Sequence, residues 1–228
     1  MNIVETRNVK KVYHQGKVRV EALGGVSLDI EKGAFIALAG PSGSGKTTLL
    51  NLIGGLDGMD EGTVRVEGSN IGDMSQSDLA RLRLNRIGFI FQAYNLVPVL
   101  SAEENVEFIM LLQGTPKAER RDRARTILDE VGLGDMYHRR PAELSGGQQQ
   151  RVAVARAIVS NPAIVLADEP TANLDSRTGQ SLLDLMRKMN ADKQVTFVFS
   201  THDKMVMDHA RRLVYLKDGR IENDEARE

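Results

Sequence analysis

The glycine-rich stretch GPSGSGKTT, residues 40–48, constrains the fold more than any other feature of the sequence. The apolar run AFIALA before it is typical of a buried strand, and leucine and isoleucine residues after it recur at helical spacing. A strand–turn–helix unit with the pattern G-x-x-x-x-G-K-[ST] is typical of a phosphate-binding loop. The glycines let backbone N–H groups point into one concavity, and the following helix adds the positive end of its dipole. The stretch therefore predicts an anion site at the end of a strand.

Two further apolar runs extend this unit into a sheet. AIVLADEP (163–170) and VTFVFSTHD (195–203) are typical of buried strands, and residues 176–190 between them carry apolar side chains on one helical face. Strands that alternate with helices predict an α/β fold, with a mostly parallel sheet that is covered on both faces.

Other regions depart from this alternation. The first 30 residues and residues 62–71 are typical of antiparallel strands, whereas residues 101–160 are mostly helical in pattern, with an amphipathic helix over 117–131. Near the end, VYLKDGRI predicts a hairpin that turns at its Asp-Gly pair. The last seven residues, ENDEARE, are expected to form a frayed tail.

Composition narrows the class of protein. A chain of 228 residues with 41% hydrophobic and 27% charged residues is expected to form one large soluble domain, or a core with a subdomain. The net charge of -1 favours neither nucleic acid nor an anionic membrane, and the absence of cysteine fits a reducing compartment. We expect no signal peptide, and no apolar stretch reaches the roughly 18 residues of a membrane span. Any membrane span is expected to belong to another chain.

Residues at the ends of the predicted strands suggest a nucleotide site. Lys46 is placed to reach the β- and γ-phosphates, and Thr47 offers a hydroxyl to Mg²⁺. Asp168 and Glu169 follow the second strand, at the sheet edge where ligands of parallel sheets bind. Asp168 is predicted to hold Mg²⁺ through water, and Glu169 to take a proton from, or to orient, an attacking water.

Three more residues have both a functional and an ordinary explanation. His202 follows the third strand, where its imidazole can donate to a γ-phosphate, although in isolation a capping or packing histidine is the better explanation. Gln92 follows the strand-like run IGFIF, and its amide can ligate Mg²⁺ and hold water, but spacing alone does not decide this. Tyr13, the only aromatic residue in the first 34, can stack on adenine or simply belong to the core or the surface.

A second glycine pair opens a predicted helix in AELSGGQQQRVAVARA, residues 142–157. Ser145 is a natural N-cap for a helix that runs to about Ser160, and glycines at the helix N-terminus allow close approach of an oxyanion. A tight turn is the alternative explanation. One nucleotide does not need two helix N-termini from one subunit. The pattern therefore favours a two-fold dimer, in which this surface of one copy closes on the nucleotide of the other.

Taken together, these motifs resemble the ATP-binding subunits of ABC transporters. GPSGSGKTT is similar to the Walker A motif of that family, IVLADEP to Walker B and LSGGQ to the signature motif. Gln92, NLD (173–175), His202 and Tyr13 resemble the Q-loop, D-loop, switch histidine and A-loop, in matching order over essentially the whole chain. The resemblance implies a P-loop NTPase (RecA-like) core with a mostly parallel sheet, an N-terminal antiparallel β subdomain and an inserted α-helical subdomain.

The resemblance also implies domain boundaries and partners. The core would comprise residues 1–92 and 161–228, and the helical subdomain, residues 93–160, would dock on a membrane partner near the Q-loop. A head-to-tail homodimer would enclose two ATP molecules between Walker A of one copy and LSGGQ of the other. Ser145, Gly147 and Gln148 would contact the opposite γ-phosphate, and Asp175 would lie across the dimer seam.

The implied site residues fall into three sets. The ATP-binding set is Tyr13, Gly40, Ser42, Gly43, Ser44, Gly45, Lys46, Thr47, Thr48, Ser145, Gly146, Gly147, Gln148 and Asp175. The catalytic set is Lys46, Gln92, Glu169 and His202, and the Mg²⁺ set is Thr47, Gln92 and Asp168.

Within the family, residues 84–107 and 144–176 are similar to the lipoprotein-releasing and macrolide-exporter branch. This implies an ATPase that drives an integral membrane permease from the cytoplasmic face of the cell membrane, with no nucleic-acid partner. The alternatives are a soluble ABC-type ATPase that serves DNA repair, chromosome organisation or ribosomes, and a nucleotide-gated scaffold without turnover. The segment between the Walker motifs holds no sustained heptads, the chain carries one set of motifs, and Glu169 and His202 are both present. These features favour the transport ATPase.

Overall fold

The computed structural model describes residues 1–16 and 18–227. In chain order, the strands of this part are β1 (Asn2–Gln15), β2 (Val18–Glu31), β3 (Phe35–Ala39), β4 (Glu61–Val66), β5 (Ser69–Asn70), β6 (Ile87–Ile90), β7 (Ile164–Asp168), β8 (Thr196–Thr201), β9 (Arg212–Lys217) and β10 (Arg220–Ala226). The helices are α1 (Lys46–Ile53), α2 (Gln76–Arg86), α3 (Ala102–Leu112), α4 (Lys117–Glu130), α5 (Gly146–Ile158), α6 (Ser176–Lys193) and α7 (Lys204–His209). Short 3-10 turns lie at Ile71–Asp73 and Pro141–Glu143.

The strands form two sheets, as the sequence predicted. A four-stranded antiparallel sheet has the order β2-β1-β4-β5, and a six-stranded sheet has the order β10-β9-β3-β8-β7-β6. In the larger sheet the strands from β9 to β6 are parallel, and only β10 runs antiparallel, against β9. The α/β class and the antiparallel N-terminal sheet are therefore confirmed.

Register in the larger sheet brings three strand ends together. Ala39 at the end of β3 pairs with Thr201 at the end of β8, and Asp168 at the end of β7 pairs with Ser200. The glycine-rich loop, the Asp168–Glu169 pair and His202 therefore leave the sheet at one edge, because the ends of parallel strands with matched register coincide.

The two faces of the larger sheet are buried against different elements. In β3, Phe35, Ala37 and Ala39 face a core that also contains apolar residues of α3, α4, α5 and α6. Ile36 and Leu38 face a second core, with residues of α1 and of the antiparallel sheet. All five residues of β3 are buried, which explains why the strand appears in the sequence as a continuous apolar run.

Three helices, α3, α4 and α5, lie between β6 and β7 in the chain and pack against each other. Ser101 and Ser145 begin α3 and α5 with complete capping boxes, closed by Glu104 and Gln148. These helices form the inserted α-helical part of the fold. The boundaries at 92/93 and 160/161 stay a prediction. Among the described residues, no helix is both long enough and apolar enough to cross a membrane.

The expectation of a frayed tail was wrong. Residues 220–226 form β10, which pairs with β9 as far as Ala226 and Arg212, and the Arg227 amide donates to the Arg211 carbonyl at 2.7 Å. Asp224 accepts two hydrogen bonds from the Arg212 guanidinium, at 2.8 and 2.7 Å, so this polar strand is held by its backbone ladder with β9 and by this ion pair. Glu228 lies outside the described residues.

Candidate functional site

Packing requires glycine at two positions of the phosphate loop. Gly40 has φ 145°, and a Cβ atom there would lie 2.1 Å from the Leu216 carbonyl oxygen of β9. Gly45 has φ 99°, and its Cβ would lie 2.5 Å from the Ala22 carbonyl oxygen. The turn of the terminal hairpin also contacts the loop, because the Gly219 amide donates to the Ser44 carbonyl at 3.2 Å. Strands β2 and β9 thus fix the shape of the loop from outside.

The phosphate loop also contains an open glycine position and a buried hydroxyl that has no partner among the described residues. Gly43 has φ 79°, and a Cβ there would meet no heavy atom within 4 Å. The buried Ser44 hydroxyl has no hydrogen-bond partner within the part of the chain that the structure describes. A buried polar group of this kind needs a partner. The open turn at Gly43 leaves room for the phosphates of a nucleotide.

Lys46 points its ammonium group back into the loop. The Nζ atom donates to the carbonyl oxygens of Gly40 at 2.8 Å and Pro41 at 2.9 Å. Burial lowers the pKa of Lys46, and the charges of Glu169 and Asp168 oppose this shift. Lys46 is buried, so its ammonium group is poorly hydrated, which strengthens its attraction for an anion.

A hydroxyl and a carboxylate meet beside the loop. The Thr47 Oγ1 atom donates to Asp168 Oδ1 at 2.9 Å, across two elements that are far apart in the chain. Hard cations such as Mg²⁺ prefer these oxygen ligands and usually keep several waters as well. Within residues 1–16 and 18–227, no cluster of three or more acidic or histidine side chains forms a complete metal site. This pair therefore fits Mg²⁺ that takes its other ligands from phosphate and water.

Glu169 and His202 form a connected pair at the same edge. The Glu169 carboxylate accepts hydrogen bonds from Thr201 Oγ1 at 3.0 Å and from the His202 amide at 3.2 Å, and its Oε1 lies 2.6 Å from His202 Nδ1. Glu169 has φ 46°, an unfavourable value for a residue with a side chain, so the local structure holds it in place. Its side chain is 14% exposed and that of His202 is 61% exposed. The oriented carboxylate can polarise a water molecule, and the second ring nitrogen of His202 can contact a ligand.

Tyr13 is half-exposed on β1. Its phenol donates to Asp57 Oδ2 at 2.7 Å, and the Lys11 ammonium lies 5.1 Å from the centre of its ring. Burial, with the Asp57 hydrogen bond, raises the pKa of Tyr13, and the Thr48 hydroxyl of α1 opposes this shift. The ring is therefore fixed beside the helix that follows the phosphate loop, with 36% of the residue exposed.

In the described part of the chain, Gln92 makes no hydrogen bond with Thr47 or Asp168, the pair that fits Mg²⁺. It lies in the exposed loop after β6, and its backbone carbonyl accepts a hydrogen bond from Asn173 Nδ2 at 2.8 Å. Within the described chain, no hydrogen bond joins its side chain to Thr47 or Asp168. The structure thus places five predicted residues at one edge of the sheet, namely Lys46, Thr47, Asp168, Glu169 and His202. Among the described residues, Gln92 is connected to this edge only through the hydrogen bond between its backbone carbonyl and Asn173.

The glycines of LSGGQ have a packing role that the sequence did not reveal. The Ser145 hydroxyl accepts from the Gln148 amide at 3.3 Å, and Gln148 Oε1 accepts from the Ser145 amide at 2.9 Å. A Cβ at Gly146 would lie 2.8 Å from Tyr94 Oη, and one at Gly147 would lie 2.4 Å from Thr178 Cγ2. The helix N-terminus therefore packs closely on its own chain, in addition to any role with an anion.

Asp175 has a structural role of its own. It caps α6, because its carboxylate accepts from the Thr178 amide at 3.0 Å and from Thr178 Oγ1 at 2.6 Å. These hydrogen bonds lower the pKa of Asp175. The sequence analysis missed Thr201 and Asp57, which hold Glu169 and Tyr13. Their partners lie 32 and 44 residues away, and no local pattern marks such pairs.

Comparison with known proteins supports one family. The family model described as "ABC transporter" matches residues 23–172, which include the phosphate loop, LSGGQ and the Asp168–Glu169 pair. An uncharacterized ABC transporter ATP-binding protein of Thermotoga maritima is 48% identical over 225 residues, which cover 99% of this chain and 96% of that protein. The macrolide export ATP-binding/permease protein MacB of Hyphomonas neptunium is 45% identical over 97% of this chain, but the match spans only 34% of MacB.

Solved structures agree with this assignment. A dimeric structure of the ATP-binding cassette MJ0796, described as a post-hydrolysis state bound to ADP and Pi, has a TM-score of 0.91 and 43% sequence identity, and 98% of each chain is covered. A further dimeric structure of MJ0796, described as a bacterial ABC transporter cassette, matches equally well. MJ0796 is assigned to Methanocaldococcus jannaschii. The chain therefore belongs to the ABC transporter family, in which it is an ATP-binding cassette with ATPase activity.

Proposed function

We propose that two copies of this chain close head to tail around two ATP molecules, and that hydrolysis drives an integral membrane permease. The observation that carries the proposal is the presence of two helix N-termini with phosphate-binding character, at Lys46 and at Gly146. Among the described residues, no hydrogen bond joins 145–148 to the phosphate loop. The dimeric structures of MJ0796 support a pair of cassettes.

Each member of the catalytic set has a distinct role in this proposal. Lys46 binds the β- and γ-phosphates, and Glu169 takes a proton from, or orients, the attacking water. His202, held by Glu169, donates to the γ-phosphate. Thr47, Asp168 and Gln92 hold Mg²⁺, which neutralises charge on the phosphates when it is bound.

The remaining residues bind the nucleotide. Tyr13 stacks on adenine with the ring face that Lys11 leaves free. Backbone N–H groups of the phosphate loop cradle the phosphates, and the helix N-terminus of LSGGQ closes on the γ-phosphate of the other copy, with Asp175 at the seam. The proposed ATP-binding set is Tyr13, Gly40, Ser42, Gly43, Ser44, Gly45, Lys46, Thr47, Thr48, Ser145, Gly146, Gly147, Gln148 and Asp175.

The Ser145→Arg variant tests the head-to-tail arrangement. A long cation at this helix N-terminus is too bulky for close contact with a second copy, so ATP-dependent dimers should disappear in size exclusion with light scattering. ATP binding by the monomer should stay within about twofold, because the phosphate loop is untouched. Ser101→Arg removes the same type of capping box from α3 and controls for the loss of the cap. A normal dimer in Ser145→Arg would contradict the arrangement.

An apolar groove supports a membrane partner for the cassette. It has a volume of about 410 Å³ and lies between β6, the loop after it, and α3, with Phe89, Phe91, Val97 and Phe108 among its lining residues. Phe108 is 39% exposed, which is unusual for a large apolar side chain beside such a groove. Because the groove adjoins Gln92, we propose that the permease docks here and holds the cassette on the cytoplasmic face of the membrane.

The Phe108→Glu variant tests the groove. A charge in the groove should abolish capture of an integral membrane protein when the tagged cassette is purified from detergent-solubilised membranes of its own cell. Leu112→Glu, on the same helix but outside the groove and 56% exposed, should retain the same captured protein. If the wild-type cassette itself captures no membrane protein, a soluble ABC-type ATPase becomes the better assignment. If Phe108→Glu captures the protein normally, the permease docks elsewhere.

A further inference from the structure

The loop that contains Gln92 has an unfavourable backbone conformation. Tyr94 and Asn95 are consecutive residues with φ 60° and 49°, in the left-handed region that side chains disfavour. Asn tolerates this region, but Tyr94 is a bulky residue that does not adopt it by intrinsic preference. Local turns, in which the Tyr94 amide donates to the Phe91 carbonyl and the Asn95 amide to the Ala93 carbonyl, and contacts from the rest of the chain hold it.

Three carbonyl groups of this loop accept hydrogen bonds from two side chains. Asn173 Nδ2 donates to the Gln92 carbonyl at 2.8 Å. The Arg156 guanidinium donates to the Asn95 carbonyl at 2.5 Å and to the Tyr94 carbonyl at 2.9 Å. Within four residues, therefore, three backbone acceptors are fixed by side-chain donors that lie at least 61 positions away in the chain.

Arg156 is an unusual donor. Within the described chain it takes part in none of the ion pairs, and both of its hydrogen bonds go to this loop. Burial lowers the pKa of Arg156. Arg156 is half-buried and lines the apolar groove, so its hydrogen bonds to the two loop carbonyls are the polar contacts that orient its guanidinium.

Both donors belong to elements that carry proposed nucleotide-binding residues. Asn173 lies two residues before Asp175, in the segment that links Glu169 to α6. Arg156 lies on α5, the helix that begins at Gly146, and Gly146 itself packs against the Tyr94 side chain. A displacement of either element is therefore passed to the backbone of the Gln92 loop.

We propose that Asn173 and Arg156 are positioning residues for Gln92. They fix the backbone of the loop that carries Gln92, and they make the position of Gln92 depend on the 173–175 segment and on α5. This inference rests on the proposed role of Gln92 at Mg²⁺. It adds a connection within one subunit between three segments that contact the nucleotide.

Amide hydrogen exchange of the nucleotide-free protein tests the contact itself. Asn173→Ala should speed exchange in peptides that cover residues 92–96 by about fivefold, the effect of one ordinary hydrogen bond. Asn85→Ala removes an exposed amide donor of α2 that bonds to the Arg81 carbonyl at 2.9 Å, and it should leave these peptides unchanged. Unchanged exchange in Asn173→Ala would overturn the proposal.

A double-mutant cycle tests whether Asn173 acts through Gln92. Asn173→Ala should lower kcat about fivefold with KM within about twofold, and should cause no further loss in a Gln92→Ala background. Equal losses in both backgrounds would mean that Asn173 acts independently, which overturns the positioning role. If Gln92→Ala alone leaves kcat unchanged, the proposed role of Gln92 is wrong and the positioning role fails with it. If Gln92→Ala lowers kcat and Asn173→Ala does not, only the positioning role fails.

The Arg156→Met variant tests the hydrogen bonds from Arg156 to the loop. It should speed exchange in the same peptides, whereas Arg151→Met should not, although Arg151 lies on the same helix and donates to the Val131 carbonyl and to Ser181 Oγ. If Arg156→Met does not fold, as judged by thermal unfolding, Arg156→Lys should show a smaller acceleration because it keeps the charge and one donor. Exchange at wild-type rates in a folded Arg156 variant would exclude Arg156 from the role.

Discussion

Replacing Glu169 with glutamine should lower the steady-state rate of phosphate release by at least about 100-fold, the lower range for loss of a positioned general base. The amide keeps the size of the side chain, and its oxygen can still accept from the His202 amide. Its NH2 group replaces the oxygen that accepts from Thr201, and it can donate to that hydroxyl instead, so the site keeps its shape. What it loses is the negative charge that takes or orients a proton of water. Phosphate release in a coupled assay, at saturating ATP, measures this.

The same variant should keep ATP affinity within about threefold and should accumulate as a dimer with ATP, because closure no longer leads to hydrolysis. Glu130→Gln changes an exposed carboxylate that pairs with Lys193 at 3.1 Å, and it should behave as wild type in both assays. Turnover in Glu169→Gln above about a tenth of the wild-type rate would rule out the general-base role. Loss of turnover with loss of ATP binding would instead indicate damage to the phosphate site.

Replacing Lys46 with alanine should weaken ATP binding by more than about 100-fold. Hydrogen bonds from a charged donor contribute about 1.5–3 kcal/mol each, and Lys46 would make two or more to the phosphates. The effect is expected to be large because Lys46 is only 6% exposed, so its ammonium group already lacks most of its hydration. Titration with a fluorescent ATP analogue measures the affinity.

The control for Lys46→Ala is Lys193→Ala, which removes the other member of the exposed ion pair with Glu130 and should not change the affinity. The fold should survive in both variants, which circular dichroism and thermal unfolding can verify. Affinity within about tenfold of wild type for Lys46→Ala would mean that the backbone of the loop, rather than this charge, supplies most of the binding. In that case His202 and LSGGQ become the main candidates for γ-phosphate recognition.

Continuous apolar burial made the central strands predictable. All residues of β3 and β8 are buried. β3 therefore appears in the sequence as an uninterrupted apolar run, and β8 as the apolar run FVF between buried hydroxyl residues, and the polar residues after both strands mark the functional edge. By contrast, α2 has no fully buried residue, and only Leu79 and Leu82 pack, partly buried, against the core, so its apolar face is too narrow to mark a helix and it was not predicted. Helix α7 has six residues, too few for a periodic pattern. The polar strand β10 was mistaken for a tail because it pairs with β9 through backbone hydrogen bonds and the ion pair between Arg212 and Asp224, and neither leaves an apolar pattern in its sequence.

For the site, the sequence predicted the motif residues but not the contacts that hold them. Motif spacing marked Lys46, Thr47, Asp168, Glu169 and His202, which the structure brings together. It could not indicate that the LSGGQ glycines pack on Tyr94 and Thr178, since those contacts join segments that the sequence keeps apart. Nor could it reveal the hydrogen bonds from Asn173 and Arg156 to the Gln92 loop, because side-chain donors to a distant backbone leave no periodic signal.

The contact between the phosphate loop and the turn at Gly219 implies thermodynamic linkage between nucleotide binding and the end of the chain. The Gly219 amide bonds to the Ser44 carbonyl, the Gly219 carbonyl accepts from Gly24, and Gly40 leaves no room for a side chain beside Leu216. A ligand that requires the loop in this shape stabilises every segment that supports it. Bound ATP should therefore suppress local opening of β9 and β10, and opening of these strands should weaken ATP binding. The rate at which a protease cuts the terminal hairpin should fall as ATP binds, so this rate measures nucleotide affinity.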